Sequence, residues 1–430
     1  MKRYFKLFLS LTLIAFISSC INMMDKAQDV PIIGKVSVSY KVSAATGFIP
    51  KGGQVTPDPN FSTSGISVEF RELTTGAVTV GTTDSEGIVT VELIPGDYSI
   101  MVSGTTENDG QKYFMNGTIP SISFVKEITR QDAMSSSGLI IRPAKVGSLI
   151  LAELYYCGSR APSGSTWFRD QTFHIYNNGD EVEYLDGVCF AQLHPNIASA
   201  GSALPVYPDE EGQDNYVYGY WVWQFPGSGT DYPLQPGESV VVVQEANNHI
   251  AATGNPNTLD CTIANWECWT GNVQRDNPDV DNMPLCYAQY LNKMQWLTSV
   301  MGAAHCIFRP DDGTVISTEY YADNKNTQTE VNKSSRYARI SADWILDGVE
   351  LLGDMSLLSQ KRIPGFIDAG ASSVNETYVG KSVSRKVISR RADGTPIFAD
   401  TNNSTVDFEV NDTPAIRRHG QKAPAWDKNN

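Results

Sequence analysis

The sequence predicts a mostly β protein with two β-sandwich domains, the second of which carries long insertions that include one α-helix. Two observations lead to this fold class. The chain holds 19 Tyr and 35 Gly, and aromatic residues favour pleated strands while glycine favours the turns between them. Apolar and polar residues also alternate with a period of two over short stretches such as Gly34–Val42, as half-buried strands require.

The length and net charge of the chain limit the number of domains and the kinds of partner that it can have. At 430 residues the chain is long enough for two or three domains, and its hydrophobic content of 41% is ample for their cores. The formal net charge is −15. An acidic body of this kind repels phosphate backbones, so the composition argues against nucleic acid as a partner.

The first nineteen residues predict an export signal. Met1–Ser19 combines a basic start with a short apolar middle, too short to remain as a membrane-spanning helix. The small residues before Cys20 resemble the lipobox of bacterial lipoproteins. This resemblance implies cleavage before Cys20 and acylation of that cysteine, for example with palmitate, which anchors the protein to a membrane. The alternative is an ordinary secretory signal with an incidental cysteine.

Residues 20–32 are polar and without a regular pattern, and we interpret them as a tether. The expected location is the outer membrane. Lipoproteins of the Bacteroides type that reach the cell surface often carry acidic residues after the lipidated cysteine, and here Asp25 and Asp29 are present. Whether the protein faces the periplasm or the cell surface is left open by the sequence.

Residues 33–144 predict a small β-sandwich. Ile66–Phe70 and Val89–Leu93 alternate as strands, and Asp84–Gly87 has the composition of a turn. The stretch Thr82–Ile100 resembles the core of carboxypeptidase-regulatory or prealbumin-like domains. That resemblance implies a spacer or docking platform rather than an enzyme.

Residues 145–430 predict the second sandwich. Leu149–Gly158 is almost continuously apolar, which is typical of a strand buried on both faces. Asp170–Gly187 alternates around Asn177–Asp180, and this pattern predicts a hairpin. The segments resemble the immunoglobulin-like lamin-tail domain in its bacterial exported version, with Glu153 matching the glutamate of the first strand. The sequences Tyr176-Asn177-Asn178 and Leu185-Asp186-Gly187 match the turn and strand that follow. The whole chain is similar to an uncharacterised family of Bacteroides-type exported lipoproteins.

Two segments of this second domain are longer than ordinary loops. They comprise residues 191–231 and 246–341, and insertions of such length on a sandwich are usually functional. The second predicts a helix over Pro284–Ala304 that would pack across the sandwich as a lid or brace. Its apolar residues recur every three or four positions: Tyr287, Leu291, Met294, Leu297 and Met301.

The cysteines favour disulfide bonds. An even set in an exported protein is typical of a disulfide framework, with buried thiols or a metal site as alternatives. The candidates besides Cys20 are Cys157, Cys189, Cys261, Cys268, Cys286 and Cys306. No C-x-x-C pair is present, so we predict no metal site from them.

Oxygen ligands for calcium are dense in one stretch, and whether it binds the ion is left open. The residues are Asp276, Asn277, Asp279, Asp281 and Asn282.

An aromatic-rich region is the best candidate for ligand binding. On a strand, Tyr218 and Tyr220 face opposite to Trp221 and Trp223, so that one face is core and the other is a platform for a sugar, a flat ligand or a protein. The alternative is that the insertions bury both faces. The predicted ligand-binding residues are Tyr218, Tyr220, Trp221, Trp223, Trp266 and Trp269.

No catalytic motif is found, so the sequence predicts no catalytic residues and no cofactor. The first hypothesis is a non-enzymatic, lipid-anchored envelope protein that binds a nutrient, a glycan or an outer-membrane transporter. The alternatives are a structural or adhesive surface module and a hydrolase with a scattered site.

Overall fold

The computed structural model describes residues 34–46, 56–198, 215–288, 296–312, 314, 316, 321–323 and 336–429. The predicted export signal, the tether and Cys20 lie outside these residues. Where the structure describes it, the protein is mostly β with few and short helices, as the sequence predicts. Among the described residues, no helix has the length and apolar character needed to cross a bilayer.

The first sandwich spans the described residues up to Lys145. Its strands are β1 (Val36–Ala44), β2 (Ser67–Glu72), β3 (Val78–Thr82), β4 (Ile88–Leu93), β5 (Gly96–Ser103), β6 (Thr105–Asn108), β7 (Gln111–Phe114), β8 (Gly117–Phe124), β9 (Leu139–Ile141) and β10 (Ala144–Lys145). A short helix, α1 (Arg130–Met134), begins at Thr129, whose side chain and that of Asp132 cap each other's backbone amides.

Two sheets face each other in this sandwich: sheet I has the order β4-β1-β9, and sheet II has the order β3-β2-β5-β8. The predicted strands at Ile66–Phe70 and Val89–Leu93 lie in β2 and β4. Alternation in β4 sends Val89, Val91 and Leu93 inward. A third set of strands, β10-β7-β6, continues from the end of this sandwich towards the second.

The second sandwich begins at Leu149. Its first strands are β11 (Leu149–Tyr155), β12 (Ser159–Arg160), β13 (Thr166–Trp167), β14 (Thr172–Asn177), β15 (Glu183–Tyr184), β16 (Cys189–Leu193), β17 (Tyr216–Gln224), β18 (Pro233–Leu234), β19 (Ser239–Val243) and β20 (Trp266–Glu267). They are followed by β21 (Asp281–Asn282), β22 (Leu285–Ala288), β23 (His305–Phe308), β24 (Tyr321–Asp323), β25 (Arg336–Ser341), β26 (Ile345–Val349), β27 (Ser382–Arg385), β28 (Val387–Arg390), β29 (Pro396–Phe398) and β30 (Phe408–Asn411). Helical turns are α2 (His249–Thr253), α3 (Ser404–Asp407) and the 3₁₀ turns Ala342–Trp344, Met355–Gln360 and Arg418–Gly420.

Two large sheets form this sandwich. Sheet III has the order β21-β20-β19-β14-β11-β27-β30, and sheet IV has the order β24-β25-β17-β16-β23-β26, with β22 also paired to β17. Every residue of β11 is buried, as its continuous apolar run predicts. Segments 191–231 and 246–341 contribute β17, β22, β23 and β25, so much of sheet IV is built from the residues that the sequence marks as insertions.

The predicted hairpin at Asp170–Gly187 is wrong in its pairing. Its two strands form as β14 and β15, but β14 pairs with β11 and β19, whereas β15 pairs with β18. The side chain of Asn177 explains the separation, because its amide donates to the carbonyls of Glu181 and Leu234 and so turns the chain out of sheet III.

The helix predicted over Pro284–Ala304 is also wrong where the structure describes that segment. Leu285–Ala288 is strand β22, residues 289–295 lie outside the described part, and residues 296–304 contain no helix. Leu297 and Met301 are 41% and 47% exposed, so these two members of the expected apolar stripe are not buried. Pairing with β17 and burial of Tyr287 in sheet IV outweigh the local helical pattern.

Direct hydrogen bonds join the two sandwiches. The amide of Asn116 donates to the backbone carbonyls of Thr401 and Asn402, and the hydroxyl of Thr118 donates to the carbonyl of Ala369. Gly365 packs directly on the backbone of Thr118, where a Cβ would approach the amide nitrogen to 2.2 Å. These contacts hold the end of the first sandwich against the loops of the second.

Candidate functional site

The tryptophans predicted to form a binding platform lie in the core. Trp221, Trp223 and Trp266 are no more than 5% exposed and belong to the cluster between sheets III and IV. The rings of Trp221 and Trp223 stack at a centroid distance of 6.1 Å. Burial of this kind removes their faces from any ligand, so these three residues are not an exposed platform.

A bulge explains why the strict alternation predicted for β17 fails. Gln192 pairs with Trp221 but Leu193 pairs with Gly219, so Tyr220 is an extra residue that shifts the alternation. Tyr220 therefore packs against the same cluster as Trp221 instead of facing away from it. A β-bulge of one residue has no clear signature in the amino-acid sequence.

The remaining predicted aromatic residues are partly exposed and engaged within the protein. Tyr218 and Tyr220 are half-buried on β17. Tyr220 lies 6.1 Å from the ring of His194, which stacks on Tyr337 at 3.8 Å. The indole of Trp269 donates to the carbonyl of Asn272 at 2.9 Å. Among the described residues, the small pocket lined by Trp269 includes neither Tyr218 nor Tyr220.

The predicted disulfides are absent: the six cysteines of the described residues carry free thiols, namely Cys157, Cys189, Cys261, Cys268, Cys286 and Cys306. Cys157 and Cys189 belong to different core clusters, as do Cys261 and Cys268. Burial raises the pKa of the thiols, to about 11 for half-buried Cys286. These are packing residues, and such thiols are poor nucleophiles.

The calcium ligands considered for residues 276–282 are used within the protein. Asp281 pairs with Lys428, and Asp276 accepts from the amide of Asn282 at 2.8 Å. Asn277 receives the backbone amide of Asp279 at 3.1 Å. No group of acidic, histidine or cysteine side chains in the described residues has an arrangement that would hold a metal ion.

A cavity of about 570 Å³ opens where the two sandwiches meet, which we call the junction cavity. This volume lies within the range of small-molecule sites. Its lining residues are Tyr113, Arg142, Pro143, Ala144, Lys145, Val146, Gly147, Ser148, Leu149, Glu183, Arg309, Ala342, Asp343, Ile345, Leu346, Asp347, Phe366, Ile367 and Asn402. The connection between the sandwiches, residues 142–149, forms one continuous wall.

Arg142 is the buried cation of that wall. Its side chain is 6% exposed, and its guanidinium lies 3.3 Å from the carboxylate of Asp343 and 3.1 Å from the side-chain oxygen of Asn215. The guanidinium also lies over the ring of Phe366, at 5.5 Å from the centroid. Three different partners therefore fix the position of Arg142.

Arg309 enters the cavity from the opposite element, directly after β23. Its guanidinium donates to the backbone carbonyls of Asp186 at 2.8 Å and Tyr184 at 2.7 Å. The loop that supplies these carbonyls is itself held, because the carboxylate of Asp186 accepts the backbone amides of Gly229, Asp231 and Tyr232. Arg309 is thus a positioned cation on a fixed support.

The floor of the cavity contains a buried charge network. Both carboxylate oxygens of Asp347 accept from the guanidinium of Arg385 at 2.9 Å, and one also accepts the amide of Leu151 at 2.7 Å. Arg385 reaches Asp400 and Asp407 as well, at 3.1 and 3.3 Å. Burial raises the pKa of Asp400 to about 7, against the opposing effect of Arg385. The arrangement is a rigid support for the floor.

The junction cavity is lined by carboxylates but by no imidazole or thiol of the described residues. None of the five histidines of the chain lines it, and neither does any of the six described cysteines. Burial lowers the pKa of His174 to about 4 and that of His305 to about 3, which keeps both neutral within the core. The polar groups around the cavity can instead bind and orient a ligand.

Sequence reasoning missed the residues of this cavity. Arg142 and Lys145 lie in one short segment, but Arg309 and Asp343 are remote from it in the sequence, and only tertiary contacts bring these charges together. One indication was present: charged residues flank the connection between two predicted domains, and ligand sites often lie at such junctions.

Comparisons with known proteins place the chain among proteins of similar architecture. Residues 235–415 match the family model described as a protein of unknown function (DUF4876). A crystal structure of a DUF4876 family protein from Bacteroides thetaiotaomicron has 32% identity to this chain and a TM-score of 0.61, and the match covers 91% of this chain and 99% of that chain.

Two further crystal structures match much more weakly. They are DUF3823 family proteins from Parabacteroides merdae and Bacteroides ovatus, at 8% and 12% identity. Their TM-scores are 0.15 and 0.14; the matches cover 48% and 49% of this chain and 80% and 99% of the respective relatives. The comparison with curated proteins gives no match.

Proposed function

The chain belongs to the DUF4876 family, and on that premise we propose that it is a non-enzymatic, lipid-anchored protein of the outer membrane that binds a nutrient or a glycan in the junction cavity. The observation that carries the proposal is the cavity itself, about 570 Å³ in volume, with charged groups held in position at the meeting point of two sandwiches. Pockets with a few fixed polar groups on a rigid scaffold are typical of ligand-binding sites.

The first sandwich acts as a spacer and as one wall of the site. Tyr113 and the segment 142–146 belong to it or follow it directly, and they face Ile345 and Leu346 of the second sandwich across the cavity. The bonds from Asn116 to the loop at Thr401 keep the two walls in register. A ligand would therefore meet a cavity that is already formed.

The lipid anchor holds the two sandwiches and their junction cavity at the membrane. Support comes from the sequence before Cys20, which resembles a lipobox, and from the polar tether of residues 20–32. A partner such as an outer-membrane transporter would receive the ligand from the anchored protein.

Ligand binding is tested by blocking the cavity. We would screen the full chain on a glycan array and measure the affinity of each hit for the Ala144→Trp variant, in which an indole occupies the wall of the cavity. The matched control is Ala77→Trp, on the exposed turn between β2 and β3. We expect loss of binding for Ala144→Trp alone. Unchanged binding by this folded variant would place the site elsewhere.

Anchoring is tested separately by cell fractionation. We expect the native chain in the membrane fraction, and the Cys20→Ala variant in the soluble fraction. Recovery of the native chain as a soluble product would remove the anchor from the proposal.

A further inference from the structure

The charges around the junction cavity differ from those of the protein as a whole. The chain has a formal net charge of −15, yet three cations line this one cavity: Arg142, Lys145 and Arg309. Three carboxylates also line it: Glu183, Asp343 and Asp347. The ligand that the cavity can bind depends on which of these charges are neutralised by neighbouring side chains.

Two of the carboxylates have a cationic partner within the protein. Asp343 pairs with Arg142, and both carboxylate oxygens of Asp347 accept from one terminal nitrogen of Arg385 at 2.9 Å from behind the floor. Backbone amides of Leu151 and Gly348 occupy further positions on Asp347. Asp347 is thus paired inside the protein, whereas Asp343 pairs with Arg142 through a side chain that is itself 67% exposed.

Arg309 has a different environment. Its two hydrogen-bond partners among the described contacts are carbonyl oxygens, which orient a guanidinium without cancelling its charge. Lys145 lies on the exposed edge of the cavity, on β10 opposite Tyr113. A guanidinium held in a partly enclosed site is well suited to a planar carboxylate, which it can bind through two parallel hydrogen bonds.

We propose that the junction cavity binds an acidic saccharide, with the sugar carboxylate held by Arg309 and Lys145. Glu183 and Asn402 supply acceptors and a donor for hydroxyl groups, and the ring of Tyr113 offers an apolar face for the sugar ring. This inference rests on the proposed function and assigns its ligand class. The volume of about 570 Å³ is suited to a short oligosaccharide.

The test compares two probes of equal length by isothermal titration calorimetry on the full chain. The acidic probe is trigalacturonate and the neutral probe is galactotriose. We expect the acidic probe to bind at least about ten times more tightly, because charge-assisted hydrogen bonds are stronger than neutral ones. Added salt should weaken binding of the acidic probe and leave that of the neutral probe nearly unchanged.

The Arg309→Gln variant tests whether Arg309 is a cation that binds the sugar carboxylate. We expect it to lose about ten- to hundred-fold in affinity for trigalacturonate. The matched control is Arg390→Gln, because Arg390 is also bonded to two carbonyls, those of Gly394 and His419, and lies outside the cavity. This control should bind as the native chain does.

A second pair of variants keeps the test decisive if Arg309→Gln does not fold. Lys145→Gln removes the exposed cation of the cavity, and Lys112→Gln removes an exposed lysine of β7 that does not line it. Only Lys145→Gln should weaken binding of the acidic probe.

Equal affinity for both probes, with no effect of Arg309→Gln or Lys145→Gln, would overturn the acidic ligand. Binding of neither probe would also overturn it. The Ala144→Trp experiment would then decide separately whether the cavity binds any ligand.

Discussion

The two sandwiches are stabilised in different ways. The core of the first is apolar, with the rings of Tyr40, Phe70 and Phe124 in edge and tilted contacts at 6.0–6.4 Å. The second sandwich buries ionised side chains. Arg385 lies among three aspartates, and Arg362 pairs with Glu350 at 2.7 Å with both side chains no more than 1% exposed.

Four carboxyl groups show how solvent exposure changes the direction of a pKa shift. In the first sandwich, Glu72 and Asp84 lie at the surface, and hydrogen bonds from Thr75 and Arg130 lower their pKa to about 2. In the second sandwich, burial raises the pKa of Asp170 and Glu267 to about 7. Solvent exposure decides which of the two effects dominates.

This difference shows which sandwich holds the charged side chains of the junction cavity in position. Buried ion pairs contribute little net stability, but their geometry is demanding, so they hold particular loops in one arrangement. In this protein the network around Arg385 holds β26, β27 and the loop at Asp400, all next to the floor of the junction cavity. The first sandwich supplies a wall and the second supplies the positioned charges.

The largest expected effect comes from removing the central cation. The Arg385→Met variant should lose towards the upper end of about 3–5 kcal/mol of unfolding free energy, because it leaves buried carboxylates without a partner. Arg71→Met in the first sandwich removes an ion pair whose arginine is 39% exposed, and it should cost no more than about 1 kcal/mol. Urea denaturation measures both, and similar losses would contradict the contrast between the sandwiches.

Truncation of the apolar cores should affect both sandwiches equally. We expect Trp223→Ala and Phe70→Ala each to cost about 3–5 kcal/mol, because both side chains are fully buried. The readout is the denaturation midpoint together with near-ultraviolet circular dichroism. A Trp223→Ala variant of native stability would show that this indole is not part of the core.

The bonds between the sandwiches should matter less for stability than for cooperativity. Asn116→Ala leaves the carbonyls of Thr401 and Asn402 without their shared donor, and we expect a loss of about 1–3 kcal/mol. We also expect the thermal unfolding of this variant, measured by calorimetry, to separate into two transitions. A single unchanged transition would mean that other contacts couple the two sandwiches.

The smallest effect concerns pH. Because burial raises the folded-state pKa of Asp170 to about 7, this carboxyl group is protonated to a greater extent in the folded protein than in the unfolded chain between about pH 4 and pH 7. This group therefore lowers stability as the pH rises through that window. Asp170→Asn should gain stability relative to the native chain over the window, on the order of 1–2 kcal/mol.

The matched comparison is Asp84→Asn in the first sandwich. The pKa of Asp84 is lowered to about 2, so its contribution is present above the unfolded value near 4 and is lost only as the pH falls below it. Its difference from the native chain should stay flat between pH 4 and pH 7. A sloping difference for Asp84→Asn, or a flat one for Asp170→Asn, in urea titrations would contradict the assignment.

Much of the fold could be predicted from the sequence because strand patterns are local. The apolar run in β11 and the alternation in β1, β2 and β4 are complete within a few residues, and each forms the strand expected. The export signal and Cys20 are likewise contained in one short stretch, and they stay predictions of the sequence.

Tertiary contacts determined the features of the protein that no short stretch of sequence contains. The segment at Leu285 became a strand because β17 offered a partner, and Trp223 became core because sheet III covers it. Arg142 and Arg309 meet at one cavity although 167 positions separate them in the sequence. Strand pairing, burial and charge compensation depend on neighbours that are remote in the chain, so the pattern of residues determined the elements and only packing determined the site.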